Sequence, residues 1–309
     1  MEEASRKDKS KRLLELINAP ELLVLPGVFD GFSARSVSAA GFQAAFVTGS
    51  GVSESSLGWA DLGIMGLEEN LRVVRALVGC CDLPLLADAD TGYGNAVNVH
   101  FTVRGFEQAG VAGLMIEDQV WPKRCGHMKG KQVIPLDEAA AKIRAARDAA
   151  RNPSFVIMSR TDTLATHGID EVVRRLNSYG EAGADLLFAD AVLSVDDIKT
   201  VVANIDKPLC VNMGFGIRQR ATTPLLSPAQ LTDLGVGVVM YPRLLTASAL
   251  QGMKAAIGAL QESIATGKVV DRPDLLLSFD ELNKLMGMSQ IEDIERQYLT
   301  EDQLRSKYG

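Results

Sequence analysis

The stretch LPLLADADTGYGNAVNVHFTVRGFEQAGVAGLMIED, Leu83 to Asp118, reads as a strand, a helix and a second strand. A short apolar run ends on two aspartates, Asp88 and Asp90. The segment after it carries apolar residues at three-four spacing and stops at Gly110, a residue that tolerates the left-handed turn closing a helix. A second apolar run then ends on Glu117 and Asp118. Strand, helix, strand is the unit from which α/β proteins build a parallel sheet.

Outward in both directions the unit repeats. ELLVLPG, AAFVTGSG, SFVIMSRTD, ADLLFADA, PLCVNM and GVVMYP complete a set of strand-like runs, with helical stretches such as DEAAAKIRAARDAAR and IDEVVRRLNSYGEAG between them. Eight strands alternating with helices specify an α/β fold of the (β/α)8, or TIM, barrel type. Lys9 to Ile17 reads as an extra helix ahead of the first strand, and SFDELNKLMGMSQIEDIERQYLTEDQL as at least two helices after the eighth. No Pro/Ser-rich linker or low-complexity segment interrupts the chain. Residues 1–309 are therefore expected to form a single domain, a barrel over about 20–265 with a helical extension over about 270–309.

Composition narrows the function. The chain has 309 residues, 47% hydrophobic and 23% charged, with a formal net charge of -7. An acidic total without a basic stripe argues against a nucleic-acid partner. The charged opening MEEASRKDKSKR has no signal-peptide pattern, and no apolar run approaches the roughly 18 residues of a membrane span. The four cysteines, Cys80, Cys81, Cys125 and Cys210, lack metal-type spacing and fit a reducing cytoplasm.

In a barrel the chemistry collects where strands end and the following loops begin. Here Thr48 to Gly51 end the second strand, Asp88 and Asp90 the third, Glu117 and Asp118 the fourth, Arg160 to Asp162 the fifth, Asp190 the sixth and Asn212 the seventh. Asp88 and Asp90, two apart on one strand, are expected to face the same way into the mouth. With Glu117 beside them and Asp61 in the loop LGWADLG, this oxygen-only set suits Mg²⁺. The alternative is that the carboxylates bond loop amides or pair with Arg160. After the fourth strand comes EDQVWPKRCGHMKGK, residues 117–131, where Lys123, Arg124 and His127 surround Cys125. Cationic neighbours favour a thiolate, which makes Cys125 a candidate nucleophile or proton donor on a loop over the mouth.

KRCGH (Lys123 to His127), DADTGYGN (Asp88 to Asn95), IEDQ (Ile116 to Gln119) and RTD (Arg160 to Asp162) together resemble the short lyase branch of the isocitrate lyase/phosphoenolpyruvate mutase superfamily, over nearly the whole chain. The resemblance implies a Mg²⁺-dependent enzyme, with Mn²⁺ a possible substitute, that breaks a carbon–carbon bond in a small 2-hydroxy or 2-oxo dicarboxylate. It implies that Asp88 holds the metal directly and that Asp61, Asp90 and Glu117 hold it mainly through water. Thr48, Gly49 and Ser50, with Gly126, Arg160, Asp190 and Asn212, would bind the substrate. Cys125 would be the general acid, with Arg160, His127 and Glu117 as the other catalytic candidates. It also implies last helices exchanged between neighbours in a dimer, and a homotetramer built as a dimer of dimers. Alternative readings are a phosphorus–carbon mutase and a non-catalytic barrel that binds a dicarboxylate.

Four features depart from the branch. Phe46 stands where a tyrosine is usual, and Asp190 replaces a glutamate. The stretch VNMGFGIRQRATTPLL lacks the usual glutamate and adds Arg218 and Arg220, while YPRLLTASAL carries Arg243 soon after the eighth strand but lacks an arginine farther along. A tricarboxylate such as 2-methylisocitrate is not the expected substrate. At least one of the three arginines is expected to bind a second anionic group at the distal end of the substrate through a bidentate contact.

Overall fold

The computed structural model describes residues 2–125, 128, 130–220 and 222–308. Eight strands, β1 (Leu23–Val28), β2 (Ala45–Val47), β3 (Leu85–Asp88), β4 (Gly113–Glu117), β5 (Val156–Thr161), β6 (Leu186–Ala189), β7 (Leu209–Asn212) and β8 (Val238–Tyr241), pair in parallel in chain order. β1 also pairs with β8, Leu23 opposite Val238 and Leu25 opposite Met240, which closes the barrel. The chain is a (β/α)8 barrel, as its alternating pattern requires. It divides into two compact units, Met1–Ala247 with the barrel and Ser248–Gly309 with C-terminal helices.

Strand periodicity sets what fills the barrel and what stands at its mouth. Leu25, Phe46, Leu86, Met115, Met158, Phe188, Cys210 and Met240 belong to one buried cluster, which Leu13, Leu16 and Ile17 of the helix Glu2–Ile17 also join. Alternate residues of a strand share a face. Two positions beyond this apolar layer, on the same face, come Thr48, Asp88, Glu117, Arg160, Asp190 and Asn212. The apolar row fixes the register, and the register delivers the polar ring.

Asp90 departs from the strand argument. β3 ends at Asp88, and Asp90 lies in a turn at φ 48°. Aspartate tolerates this left-handed conformation better than most residues. Asp88 Oδ1 accepts the Asp90 amide at 3.0 Å, and the Asp90 carbonyl accepts the Glu117 amide at 2.9 Å. The turn, rather than strand alternation, buries the second carboxylate. Asn95 then caps the helix Ala96–Ala109 by accepting the Val97 amide, and Gly110 ends it at φ 97°.

In the second unit, the long helix Leu244–Thr266, most of which lies there, is followed by helices Phe279–Leu285, Met288–Tyr298 and Glu301–Tyr308. Ser278 and Glu281 form a reciprocal cap at the start of Phe279–Leu285. No helix among the described residues is long and apolar enough to cross a membrane.

Candidate active site

A cavity at the C-terminal mouth of the barrel is lined by Phe46, Thr48, Ser50, Asp61, Asp88, Lys123, Cys125, Arg160, Asp190, Asn212, Arg220 and Arg243, among others. Eight of the metal-binding, substrate-binding and catalytic candidates thus share one cavity, Thr48, Ser50, Asp61, Asp88, Cys125, Arg160, Asp190 and Asn212, together with Phe46, Lys123, Arg220 and Arg243, which the sequence also marked. Gly49, Asp90 and Glu117 stand behind that wall, in contact with Asp88, Lys123 and Arg160 respectively. Gly126 and His127 lie outside the described residues.

Thr48 caps the one-turn helix Gly49–Val52 and lies 3.1 Å from the Ser50 hydroxyl. Gly49 donates its amide to Asp88 Oδ2 at 3.3 Å. A Cβ on Gly49 would come 2.7 Å from that same oxygen, so only glycine allows the carboxylate to sit there. On the other side Asn70 donates to the Asp88 carbonyl at 2.7 Å, fixing the strand end.

Lys123 does not serve the thiol beside it in sequence. Its ammonium lies 2.5 Å from Asp61 and 2.8 Å from Asp90, buried with both. Arg124 is exposed. A cation in contact with Cys125 comes from the far side of the mouth: Arg243 Nη2 is 3.8 Å from Sγ, while Arg243 Nη1 meets both Glu54 oxygens at 2.8 and 2.9 Å. Buried opposite charges attract strongly, so the carboxylates draw Lys123 inward and leave the thiol to Arg243.

Arg160 is held on several sides. It donates to both Asp162 oxygens at 2.7 and 2.9 Å and to Asp190 at 2.8 Å, and its Nε lies 3.3 Å from Glu117. Its guanidinium stacks over Phe188, 5.3 Å from the ring centre. Asn212 donates to the other Asp190 oxygen at 3.2 Å. Asp162 also accepts from Lys131 at 2.9 Å, which fastens the end of the loop over the mouth to the end of β5.

The protonation balance reveals surplus negative charge. Burial and neighbouring Asp90 push the Asp88 carboxyl up to about 7, against the opposing pull of Lys123 and Arg160. Burial likewise raises Asp90, and it lifts Glu117 well above the carboxylate range despite Arg160. Burial works against charge on Lys123 too, yet Asp90, Asp61 and Glu117 hold its ammonium well above the ordinary lysine value. Asp90 Oδ1 meets only the Lys123 ammonium, at 2.8 Å, which Asp61 shares, and Glu117 Oε1 is a buried acceptor without a hydrogen-bond donor among the described residues. A small divalent cation would relieve this surplus. No three His, Cys, Asp or Glu groups among the described residues converge as ligands. The oxygen donors therefore fit a hydrated hard cation, with few direct protein contacts, better than a closed cage.

Sequence reasoning passed over Glu54, Lys131 and Asn70. Glu54 lies in the featureless GVSESS, and only the fold brings it against Arg243, 189 residues away. Lys131 had a signal, as the last residue of the basic loop.

A family model described as phosphoenolpyruvate phosphomutase matches residues 13–261. The chain is 40% identical to 2,3-dimethylmalate lyase of Eubacterium barkeri over 292 residues, covering 94% of this chain and 98% of that protein. It superposes on oxaloacetate acetylhydrolase in complex with the inhibitor 3,3-difluorooxalacetate with TM-score 0.86 and 30% identity, covering 94% and 97% of the two chains. It superposes on phosphonopyruvate hydrolase in complex with oxalate and Mg²⁺ with TM-score 0.82 and 28% identity, covering 94% and 99%.

Proposed function

We propose, since this chain belongs to the isocitrate lyase/phosphoenolpyruvate mutase superfamily, that it is a Mg²⁺-dependent lyase cleaving a carbon–carbon bond in a small 2-hydroxy or 2-oxo dicarboxylate. The observation that carries this reading is the union of three groups on one cavity: the Asp88 carboxylate, the Arg160 guanidinium and the Cys125 thiol. Relatives named for 2,3-dimethylmalate and oxaloacetate support the substrate class.

Asp88 is the residue that would hold Mg²⁺ directly, with Asp61, Asp90 and Glu117 reaching it through water. Bound there, Mg²⁺ supplies Lewis-acid stabilisation of charge on the 2-oxo acid oxygens. Thr48, Ser50 and Asn212 orient the 2-oxo acid end, and Arg160 offsets its carboxylate charge. For a 2-hydroxy acid the hydroxyl proton must leave as the carbon–carbon bond breaks; a 2-oxo acid such as oxaloacetate must first add water across its carbonyl, and a hydroxyl of that hydrate then loses its proton in the same way. Phe46 offers no hydroxyl and Lys123 is held protonated, so besides the thiol the cavity provides Asp61, Asp88 and Asp190 as acceptors. The electron pair of the broken bond passes to the carbon of the departing acid. Cys125 then donates its proton to that carbon.

The reading extends to assembly, as a homo-oligomer that uses the C-terminal helices. Leu250, Met253, Ile257, Leu260 and Ile264 recur at three-four spacing on the helix Leu244–Thr266, and each is more than half exposed.

A product assay tests the function. Purified protein with Mg²⁺ should release a 2-oxo acid from 2,3-dimethylmalate or another 2-alkylmalate, or oxalate from oxaloacetate, and a chelator should stop it. Turnover of phosphonopyruvate alone would replace the reading with phosphorus–carbon chemistry. Oxalate binding with no turnover of any of these acids would leave a binding protein.

A further inference from the structure

We infer that Arg243, oriented by Glu54, binds the second carboxylate of the substrate, the one on the fragment that Cys125 protonates. The inference rests on the lyase reading and names which dicarboxylates the site takes. Three arginines beyond strands β7 and β8 were open to this role, and their surroundings separate them. Arg218 is exposed and does not line the cavity. Arg220 lines it, but its guanidinium is turned onto Asn212, with Nη2 donating to the Asn212 carbonyl and Nη1 3.4 Å from Oδ1. Arg243 has one edge committed and one edge directed inward. Nη1 meets both oxygens of Glu54, while Nη2 lies 3.8 Å from the Cys125 sulfur and has no oxygen acceptor among the described residues. Its backbone amide donates to the Gly214 carbonyl at 3.1 Å, tying the end of β8 to the loop after β7.

The chemistry asks for a cation at this place. In the departing acid, the carbon that takes the proton is bonded directly to the carboxylate carbon. A thiol aimed at that carbon therefore has the carboxylate oxygens beside it, within reach of a guanidinium in contact with the sulfur. Glu54 serves as a positioning residue: by holding Nη1 it leaves Nη2, the atom beside Cys125, to a ligand. Its negative charge also opposes a further carboxylate nearby. The pair thus selects malate-like acids, with one carboxylate at each end, over oxalate-sized monofragments and over tricarboxylates.

Calorimetric binding in the presence of Mg²⁺, with oxalate as the probe of the 2-oxo acid end and malate as the probe of both ends, tests this. A charged hydrogen bond is typically worth about 1.5–3 kcal/mol, so Arg243→Ala should weaken malate roughly tenfold to hundredfold and leave oxalate within about twofold. Arg243→Lys should recover part of the loss, and Glu54→Gln should weaken malate by a smaller factor, again sparing oxalate. Equal losses for both probes, no loss for either, or a wild-type protein that binds oxalate but not malate would overturn the clamp. A malate-selective loss in Arg243→Ala that Glu54→Gln does not share would overturn the role of Glu54. These comparisons need no turnover, so a selective loss of malate in a protein that cleaves nothing would overturn the lyase reading and leave the clamp standing.

Discussion

Cys125 sits among cations in the sequence and beside a different cation in the fold. The change has a consequence for reactivity. Burial pushes the thiols of Cys81 and Cys210 up, and that of half-buried Cys80 as well, whereas Cys125 opens on the cavity with Arg243 at hand. A thiol-alkylating reagent near neutral pH should modify Cys125 first, with oxalate and Mg²⁺ slowing the reaction, as peptide mass mapping would show. Preferential labelling of Cys80 would contradict this assignment. Cys125→Ser should keep oxalate binding and lose cleavage by about 10²–10⁴-fold, the usual worth of general acid catalysis. Asp88 allows a prediction that does not depend on activity. A Mg²⁺ site of the proposed kind, formed only in the folded chain, should let Mg²⁺ raise the melting temperature. Asp88→Asn should abolish that rise while melting, in the presence of chelator, no lower than the parent, because it removes one of the crowded buried charges. A Mg²⁺-induced rise of the same size in the variant would remove Asp88 from the metal site.

At the scale of elements, the site depends on how closely neighbouring strands approach. The turn after β2 passes over the end of β3 at Gly49, where a methyl group would meet the Asp88 carboxylate at 2.7 Å. Gly49→Ala should therefore lower Mg²⁺ affinity and turnover together, with an unchanged far-ultraviolet circular dichroism spectrum; parent-like kinetics would show that Asp88 has room to move. Behind the mouth, Asp118 binds three elements together. One of its oxygens accepts from the Thr161 hydroxyl at 2.7 Å, the Tyr179 hydroxyl at 2.7 Å and Arg175 at 3.0 Å, and the other takes the Asp162 amide at 3.0 Å. It thus joins the ends of β4 and β5 to the helix Ile169–Glu181 and sets Asp162, which in turn holds Arg160. Removing one partner of a buried ion pair costs about 3–5 kcal/mol, and Arg175 keeps Glu171 as a second partner, so Asp118→Ala should lose about 3 kcal/mol in urea unfolding. A loss below about 1 kcal/mol would mean that water replaces the carboxylate there, as at an exposed pair.

At the scale of the whole molecule, the apolar stripe from Leu250 to Ile264 and the exposed Leu276, Leu277 and Phe279 leave hydrocarbon uncovered on the second unit, the kind of surface that marks an interface. Light scattering at micromolar concentration should report an assembly larger than one chain. Aspartates in place of Ile257 and Leu260 should reduce its mass, because a buried interface rejects unpaired charge. A monomeric parent would remove the assembly from the proposed function.

The sequence by itself determined the barrel, its eight strands and the positions where polar groups end them. Strand periodicity is local: once Phe46, Leu86, Met115, Met158, Phe188 and Cys210 face inward, Thr48, Asp88, Glu117, Arg160, Asp190 and Asn212 must follow on the same face. What lies between elements was not legible in this way. Asp90 joins Asp88 through a left-handed turn, Lys123 turns from Cys125 to Asp61 and Asp90, and Arg243 meets Glu54 across 189 residues of chain. Those outcomes depend on which groups the fold brings together, and for Lys123 on which charges are buried with it. Coulomb attraction in a dry interior far exceeds that between neighbours in a solvated loop, so the tertiary structure, and not proximity along the chain, chose the partner of each cation.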